Sequence, residues 1–312
     1  MKIVVMGAGG TGGYYGGLLS RQGHDVTFVA RGDHLAAIQR NGLQVKSIFG
    51  DFKISPARAT DRPAETEIPD LILFCTKTYN TDEAVQLMKP IVGKQTTVLS
   101  VQNGIDAHER IGRAIGIEHM IAGATWISSA VEAPGVINQV SDFRRVVVGE
   151  LNGETTSRIL AVHEAFKDTG ITSELSDHIL KVLWTKFVFI SAASGFGSLT
   201  RLPMAEYRDI RETRALIVEL MRETEALARS QGVHLDADVI EKSLAFIDNA
   251  GPTIKASMQL DVESGHPTEI ESMLGVIGRK GREHGIPTPV ADAIYAMLLP
   301  VDVHARGKLH NS

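Results

Sequence analysis

The sequence predicts an α/β fold, a doubly wound and mainly parallel sheet domain over residues 1–175, followed by an all-helical domain over residues 176–312. Three observations carry this reading. The chain opens with an apolar run, Lys2-Ile-Val-Val-Met6, and a glycine turn, Gly7-Ala-Gly-Gly-Thr-Gly12, that leads into a helical pattern. Short β-rich runs then alternate with helical segments to about residue 150, the pattern of a parallel sheet wound with helices. From Ser176 onward the pattern changes to long helical stretches. A length of 312 residues suits two domains.

The elements follow in order. After the opening strand come a helix over residues 11–22 and a strand over 25–31. Strands are expected over 43–48 and 71–75, the second fully apolar and preceded by Pro69-Asp70. A helix over 80–88 ends at Pro90, which cannot continue it. A strand over 97–101 precedes a helix from about Ile105. Residues 120–127, 135–140 and 145–149 read as strands, with Ala133-Pro-Gly135 as a turn. A helix over 155–168 and a strand over 171–174 close this half. In the second half, Ser176 or Asp177 caps a helix reaching about Ser194. Residues 208–231 form a long amphipathic helix stopped by Gly232. Helices follow over 236–249, 254–263, 268–283 and 290–299, and the tail over 301–312 is expected to fray. With no low-complexity linker, the domain junction is short, and the cleft between domains is the expected substrate site.

Composition narrows the function classes. Hydrophobic residues make up 43% and charged residues 22%, ordinary globular usage. A net charge of −5 without a dense Lys/Arg run argues against a nucleic-acid partner. The lone cysteine, Cys75, excludes an intrachain disulfide framework and suits a reducing, cytoplasmic setting. It reads as a buried strand residue rather than a nucleophile. No leader is expected where the first strand begins at once. No stretch approaches the ~20 apolar residues of a membrane span, so no membrane partner is expected. The histidines show no ligand spacing, and no metal is expected.

The glycine turn carries the first chemical signal. Gly7 permits the tight turn, Gly9 leaves room for a pyrophosphate, and Gly12 lets helix and strand pack closely. The helix N-terminus offers free N–H groups and partial positive charge to the phosphates. Residues Gly7, Ala8, Gly9, Gly10, Thr11 and Gly12 are thus candidates for a dinucleotide. An NAD site usually ends its second strand with a carboxylate on the ribose 2′-OH. Here Ala30 and Arg31 stand there, and a guanidinium suits a 2′-phosphate, so NADP(H) is the expected cofactor. Asp33 competes but lies beyond the strand end.

Five segments together resemble a known family, the 2-dehydropantoate 2-reductases or ketopantoate reductases. They are Gly7-Ala-Gly-Gly-Thr-Gly12, Cys75-Thr-Lys77-Thr, Val101-Gln-Asn103-Gly104, Trp184-Thr-Lys186-Phe, and His266-Pro-Thr-Glu269-Ile, whose glutamate stands twelve residues after Ser257. The glycine motif is shared with many dehydrogenases, but the five in this order are specific, and the resemblance runs over nearly the whole chain. It implies a Rossmann-type N-terminal domain, a helical C-terminal domain, and NADPH-dependent reduction of a 2-oxo acid. For the typical member that is 2-dehydropantoate to pantoate, in pantothenate and coenzyme A synthesis. It also implies a homodimer through the helical domain.

Each matched residue has a chemical reading and a bland one. Lys77 ends a strand where open sheets bind ligands and could reach cofactor phosphates or orient substrate; alone it would be a surface lysine. Asn103 could hold the nicotinamide edge or the substrate, or simply cap a turn with Gly104. Lys186 lies among Leu183, Trp184, Phe187, Val188 and Phe189, where burial would lower its pKa and make it a better proton donor. Without the family it would be a snorkelling lysine. The resemblance makes Lys186 the general acid, Glu269 its partner and Ser257 a substrate ligand. Where the family has asparagines four and eight residues after that lysine, this chain has Ile190 and Ser194. The asparagine three residues before the serine is Ile254 here. Ile190 and Ser194 thus stand at substrate positions with less polar grip, which suits as an alternative a paralogue reducing a less polar branched 2-oxo acid; a non-catalytic NADPH sensor on the same fold is the other alternative, and the retained Lys186 and Glu269 argue against it.

Overall fold

The computed structural model describes residues 1–309. The chain divides into two compact units. One holds Met1–Gln102 and Ala107–Ile179, the other Asn103–Asp106 and the chain from Leu180 onward.

The sheet unit begins with β1 (Lys2–Met6), α1 (Gly10–Arg21), β2 (Asp25–Val29), α2 (Gly32–Asn41), β3 (Leu43–Ser47), β4 (Phe52–Ile54) and β5 (Arg58–Thr60). It continues with β6 (Leu71–Phe74), α3 (Thr81–Met88), β7 (Thr97–Ser100), α4 (Ala107–Ile115) and β8 (Met120–Trp126). It ends with β9 (Ser129–Ala133), β10 (Val136–Gln139), β11 (Arg145–Gly149), α5 (Ser157–Lys167) and β12 (Thr172–Leu175). Eight strands form one sheet in the order β12-β11-β8-β7-β6-β1-β2-β5. Its pairs are parallel except β8 with β11. Alternation of side chains explains the two cores. Ile3, Val5, Leu71, Leu73 and Leu99 pack with α1 and α5 on one face. Val4, Met6, Ile72, Phe74 and Val98 pack with α3 and α4 on the other.

The strands at 43–47 and 136–139 do not join this sheet. β10 pairs parallel with β3 in a separate four-stranded sheet, β4-β3-β10-β9. The reason lies in α1, which runs between the two sheets. A Cβ on Gly12 would stand 2.1 Å from the Gly7 carbonyl, and one on Gly13 2.7 Å from Ile137. Only a helix stripped of side chains on these faces fits both neighbours.

The helical unit contains α6 (Ile179–Thr200), α7 (Met204–Tyr207), α8 (Arg211–Ser230), α9 (Val239–Asp248), α10 (Ser257–Glu263), α11 (Val276–His284) and α12 (Pro289–Leu309). Its core joins Trp184, Phe187, Val188, Leu220, Met221, Leu274 and Ile277, with Ile105 from the 103–106 segment.

The helix expected to stop near Ser194 runs to Thr200 and ends where Arg201 takes φ 58°. It is long and apolar enough to cross a membrane, with a mean hydropathy of 1.4 over its most apolar window, contrary to the sequence reading. That window is 61% buried within the protein, as expected of a core helix. The helix expected over 208–231 is α8, and a short helix the sequence reading did not mark, α7, precedes it. The segment expected as a regular helix from 268 contains a π-turn, Glu271–Gly275, before α11. Finally, the tail over 301–312, expected to fray, is helical through Leu309, with Pro300 inside α12. The proline removes one ladder bond, but Asp302 and Arg306 bond to Thr268 and anchor the turn beyond it. Residues 310–312 of that tail lie outside the described residues.

Candidate active site

In the sheet unit, the candidate cofactor residues gather at the carboxyl ends of β1, β2 and β6, where open parallel sheets bind ligands. Gly7 has φ +96°, and a Cβ there would meet the Thr76 backbone nitrogen at 2.9 Å. The glycine turn therefore sits directly against the turn that carries Lys77, which is half-buried. Gly9 is the N-cap of α1 with no side-chain cap, and nothing lies within 4 Å of the place its Cβ would take. Gly10 by contrast abuts the Ser129 carbonyl. Ala8 is buried and its N–H donates to the Val29 carbonyl, while Thr11 is half-buried in the first turn of α1. The open face at Gly9 and the uncapped N–H groups of α1 are what a pyrophosphate needs.

Arg31 stands at the N-cap position of α2, just after β2, and makes no side-chain cap. Its guanidinium pairs with Glu83 of α3 at 2.9 Å, and both side chains are more than half exposed.

Two residues of this neighbourhood carried no motif in the sequence. His34 on α2 links the Ala8 carbonyl (Nε2, 2.8 Å) to the Gly135 N–H (Nδ1, 3.0 Å). With Nδ1 accepting, Nε2 carries the proton and donates, so a neutral imidazole ties the glycine turn to the second sheet. Gln102 is buried, and its Nε2 donates to the Thr76 carbonyl at 2.8 Å and to Thr81 Oγ1 at 3.0 Å. It holds the turn before Lys77. Cys75 lies just past β6, where burial pushes its thiol pKa up and keeps it an inert thiol.

In the helical unit, Lys186, Asn103 and Glu269 come together. The Lys186 ammonium on α6 donates to Asn103 Oδ1 at 3.0 Å. Burial lowers its pKa from 10.5 to about 8, against the opposing pull of the Glu269 carboxylate. Glu269 itself is 5% exposed and precedes the π-turn. Ile190 stands one turn after Lys186, half-buried against the helical core. Ser194, a turn further, is buried at 2% exposure. Ser257 is the first residue of α10 and is exposed. Ile254 is also exposed and lies outside any helix; its carbonyl accepts from the Met204 N–H. No group of three or more potential metal ligands occurs among the described residues.

A buried ammonium with a pKa near 8 is mostly protonated at neutral pH and readily gives its proton up. The helical unit thus holds a desolvated ammonium beside an amide and a carboxylate. The sheet unit holds a glycine turn with an open, uncapped helix start.

Comparison with known proteins agrees with this division. Residues 3–153 match the family described as ketopantoate reductase PanE/ApbA, and residues 178–302 match its C-terminal domain. An uncharacterized oxidoreductase of Bacillus subtilis, YkpB, is 32% identical, with 96% of this chain and 98% of that protein covered. A 2-dehydropantoate 2-reductase of Mesorhizobium japonicum is 30% identical, with 96% and 97% covered. The crystal structure of a PanE/ApbA family ketopantoate reductase from Ralstonia eutropha JMP134 superposes with a TM-score of 0.90 at 29% identity, covering 98% of this chain and 100% of that one.

Proposed function

The chain belongs to the PanE/ApbA ketopantoate reductase family, and on that premise we propose that it is an NADPH-dependent reductase of a 2-oxo acid, typically 2-dehydropantoate to pantoate. The observation that carries the reading is the desolvated Lys186 ammonium, bonded to Asn103 and facing the charge of Glu269. When bound, NADPH would supply the hydride. Gly7, Gly9, Gly12 and the N–H groups opening α1 would hold its pyrophosphate, with Lys77 beside them and Arg31 on the 2′-phosphate. Lys186 would give its proton to the substrate oxygen as negative charge develops there. Asn103 orients the ammonium, Glu269 keeps it protonated, and Ser257 offers a hydroxyl to the substrate.

Ile190 favours a second reading of the substrate. An aliphatic side chain one turn from the proton donor, on the same helix face, suits a less polar branched 2-oxo acid. The proposal extends to a homodimer, tested by sedimentation velocity, and to a cytoplasmic setting suited to the free thiol of Cys75.

The test is NADPH oxidation by the native protein and Lys186→Ala over a panel of branched 2-oxo acids. Turnover that depends on Lys186 is expected. NADPH binding without turnover of any 2-oxo acid would instead mark a sensor.

A further inference from the structure

The last helix reaches back to the candidate site in a way that the family motifs do not cover. Asp302, on α12 just past Pro300, is 3% exposed. Its Oδ1 accepts from the Thr268 N–H at 2.6 Å and from the Thr268 hydroxyl at 3.0 Å. Arg306, one turn on, donates from Nε to Asp302 Oδ2 at 2.6 Å and from Nη2 to the Thr268 carbonyl at 3.1 Å. One ion pair therefore holds the N–H, the carbonyl and the hydroxyl of Thr268.

Thr268 is the residue before Glu269, and its carbonyl belongs to the peptide bond that Glu269 shares. On the other side, the Glu269 carbonyl accepts from the N–H groups of Ser272 and Met273, both at 3.0 Å, at the entry to the π-turn. Ile270 is 1% exposed in the helical core. The backbone of Glu269 is thus pinned from both directions. A carboxylate as buried as Asp302 is costly to keep and is tolerated only with partners that satisfy it fully. Its Oδ1 bonds both go to Thr268 and its Oδ2 to Arg306, which itself returns to Thr268. The π-turn at Glu271–Gly275 follows within two residues of Glu269, and such interruptions are frequent at functional sites.

We infer that Asp302, with Arg306, is a positioning residue for proton transfer, fixing the Glu269 carboxylate against the Lys186 ammonium through Thr268. The inference rests on the proton-donor reading of Lys186 given above. It differs from a purely structural anchor for α12 in what it moves. If the clamp is released, Glu269 withdraws, the ammonium loses its favourable charge, and its pKa falls further.

The test compares kcat–pH profiles and Tm for the native protein, Glu269→Gln, Asp302→Asn and the double variant Glu269→Gln/Asp302→Asn, with NADPH and the best 2-oxo acid. Asp302→Asn is expected to lower kcat ~10-fold or more, because misplacing a catalytic group by ~1 Å can cost up to ~10²-fold. KM for NADPH should not change, and the alkaline limb should move to lower pH, as it does in Glu269→Gln. In the double variant the two effects should not add. A lower Tm with native kcat and a native limb would make Asp302 a structural anchor only and overturn the inference. So would full additivity. If Asp302→Asn does not fold, Arg306→Gln, which breaks the ion pair that holds the Thr268 backbone, decides by the same limb, and a native profile there overturns the inference. If Glu269→Gln itself leaves kcat and the limb unchanged, Glu269 does not act on the ammonium and this inference fails, while the proton-donor reading stands or falls with Lys186→Ala. If Glu269→Gln changes both while Asp302→Asn changes neither, only the inference fails.

Discussion

Asn103 accepts a hydrogen bond from the Lys186 ammonium at 3.0 Å, across 83 residues of sequence. The bond joins a bend after β7 to the middle of α6 and gives the ammonium a neutral partner. Its pKa is about 8, with burial as the main cause. A lysine that donates a proton must enter the step charged. As pH rises through about 8 the charged fraction falls, so kcat should be level near neutrality and decline above that value. A limb near the ordinary lysine value of 10.5 would count against this environment. Asn103→Asp places a second carboxylate beside the ammonium, favours the charged form, and should move the limb to higher pH.

Removing the donor should be more damaging than moving its pKa. Lys186→Ala should lower kcat by at least ~10²-fold, the low end for a general acid, while NADPH still quenches or shifts fluorescence on binding. Glu269→Ala should also slow turnover. If Glu269 acts through Lys186, the double variant should be little worse than Lys186→Ala. Near-native kcat in the lysine variant would sink the assignment.

Much of this was legible in the sequence, and the parts that were not share a cause. Residues 3–6 and 71–74 are continuous apolar runs because both faces of their sheet are covered, and 25–29 and 97–100 keep apolar residues between Asp25, Thr27, Thr97 and Ser100. Periodicity therefore reveals them. It cannot say which sheet a strand joins. β3 and β10 read as ordinary strands, yet they pair with each other across some ninety residues and leave the main sheet. The glycines of α1 held the clue, since a helix so bare needs close neighbours on more than one face. At the site, Lys186, Glu269 and Asn103 were visible through motifs. His34, Gln102 and Asp302 were not, because their roles are bonds to backbone atoms of distant residues. The tail after residue 300 was expected to fray, yet the local cost of Pro300 is offset by contacts made far away in sequence.

The glycine turn separates binding from folding. Gly9 has φ −71° and open space where a Cβ would stand, whereas a Cβ on Gly12 would strike the Gly7 carbonyl at 2.1 Å. Gly9→Ala should leave Tm near native and raise KM for NADPH ~10-fold or more, about the loss of one hydrogen bond to a charged group. Gly12→Ala should lower stability by ~1–3 kcal/mol or more through overpacking, read as a fall in Tm. A Gly9→Ala variant with native KM would argue against phosphate at that position.

Arg31 does not stand alone, and Glu83 makes its role testable from both sides. The pair at 2.9 Å is exposed, so its own contribution to stability is small. A 2′-phosphate would have to share or displace Glu83. Glu83→Gln should therefore tighten NADPH and leave NADH nearly unchanged. Arg31→Ala should erase most of the preference for NADPH, since a charge-assisted contact is worth ~1.5–3 kcal/mol. A change in the NADPH/NADH ratio well under tenfold would mean that another residue reads the phosphate.

The substrate turns on the helix face that Lys186 shares with Ile190. 2-Dehydropantoate carries a terminal hydroxyl beside a gem-dimethyl carbon. A pocket built to bond that hydroxyl rejects analogues without it by up to ~10⁴–10⁵-fold, because its own polar groups are left unpaired. Ile190 is half-buried against the helical core, and Ser194, one turn further, is buried at 2% exposure. Neither side chain offers the amide that the family places there. Discrimination between 2-dehydropantoate and an aliphatic acid such as 2-oxo-3-methylvalerate should therefore stay within ~10²-fold in kcat/KM, the range of an apolar pocket. Ile190→Asn should shift the ratio towards 2-dehydropantoate. If the native protein prefers 2-dehydropantoate by several orders of magnitude, the hydroxyl is held by other groups. Ser257, exposed at the start of α10, is then the first to substitute, and Ser257→Ala should abolish the preference if it provides that bond.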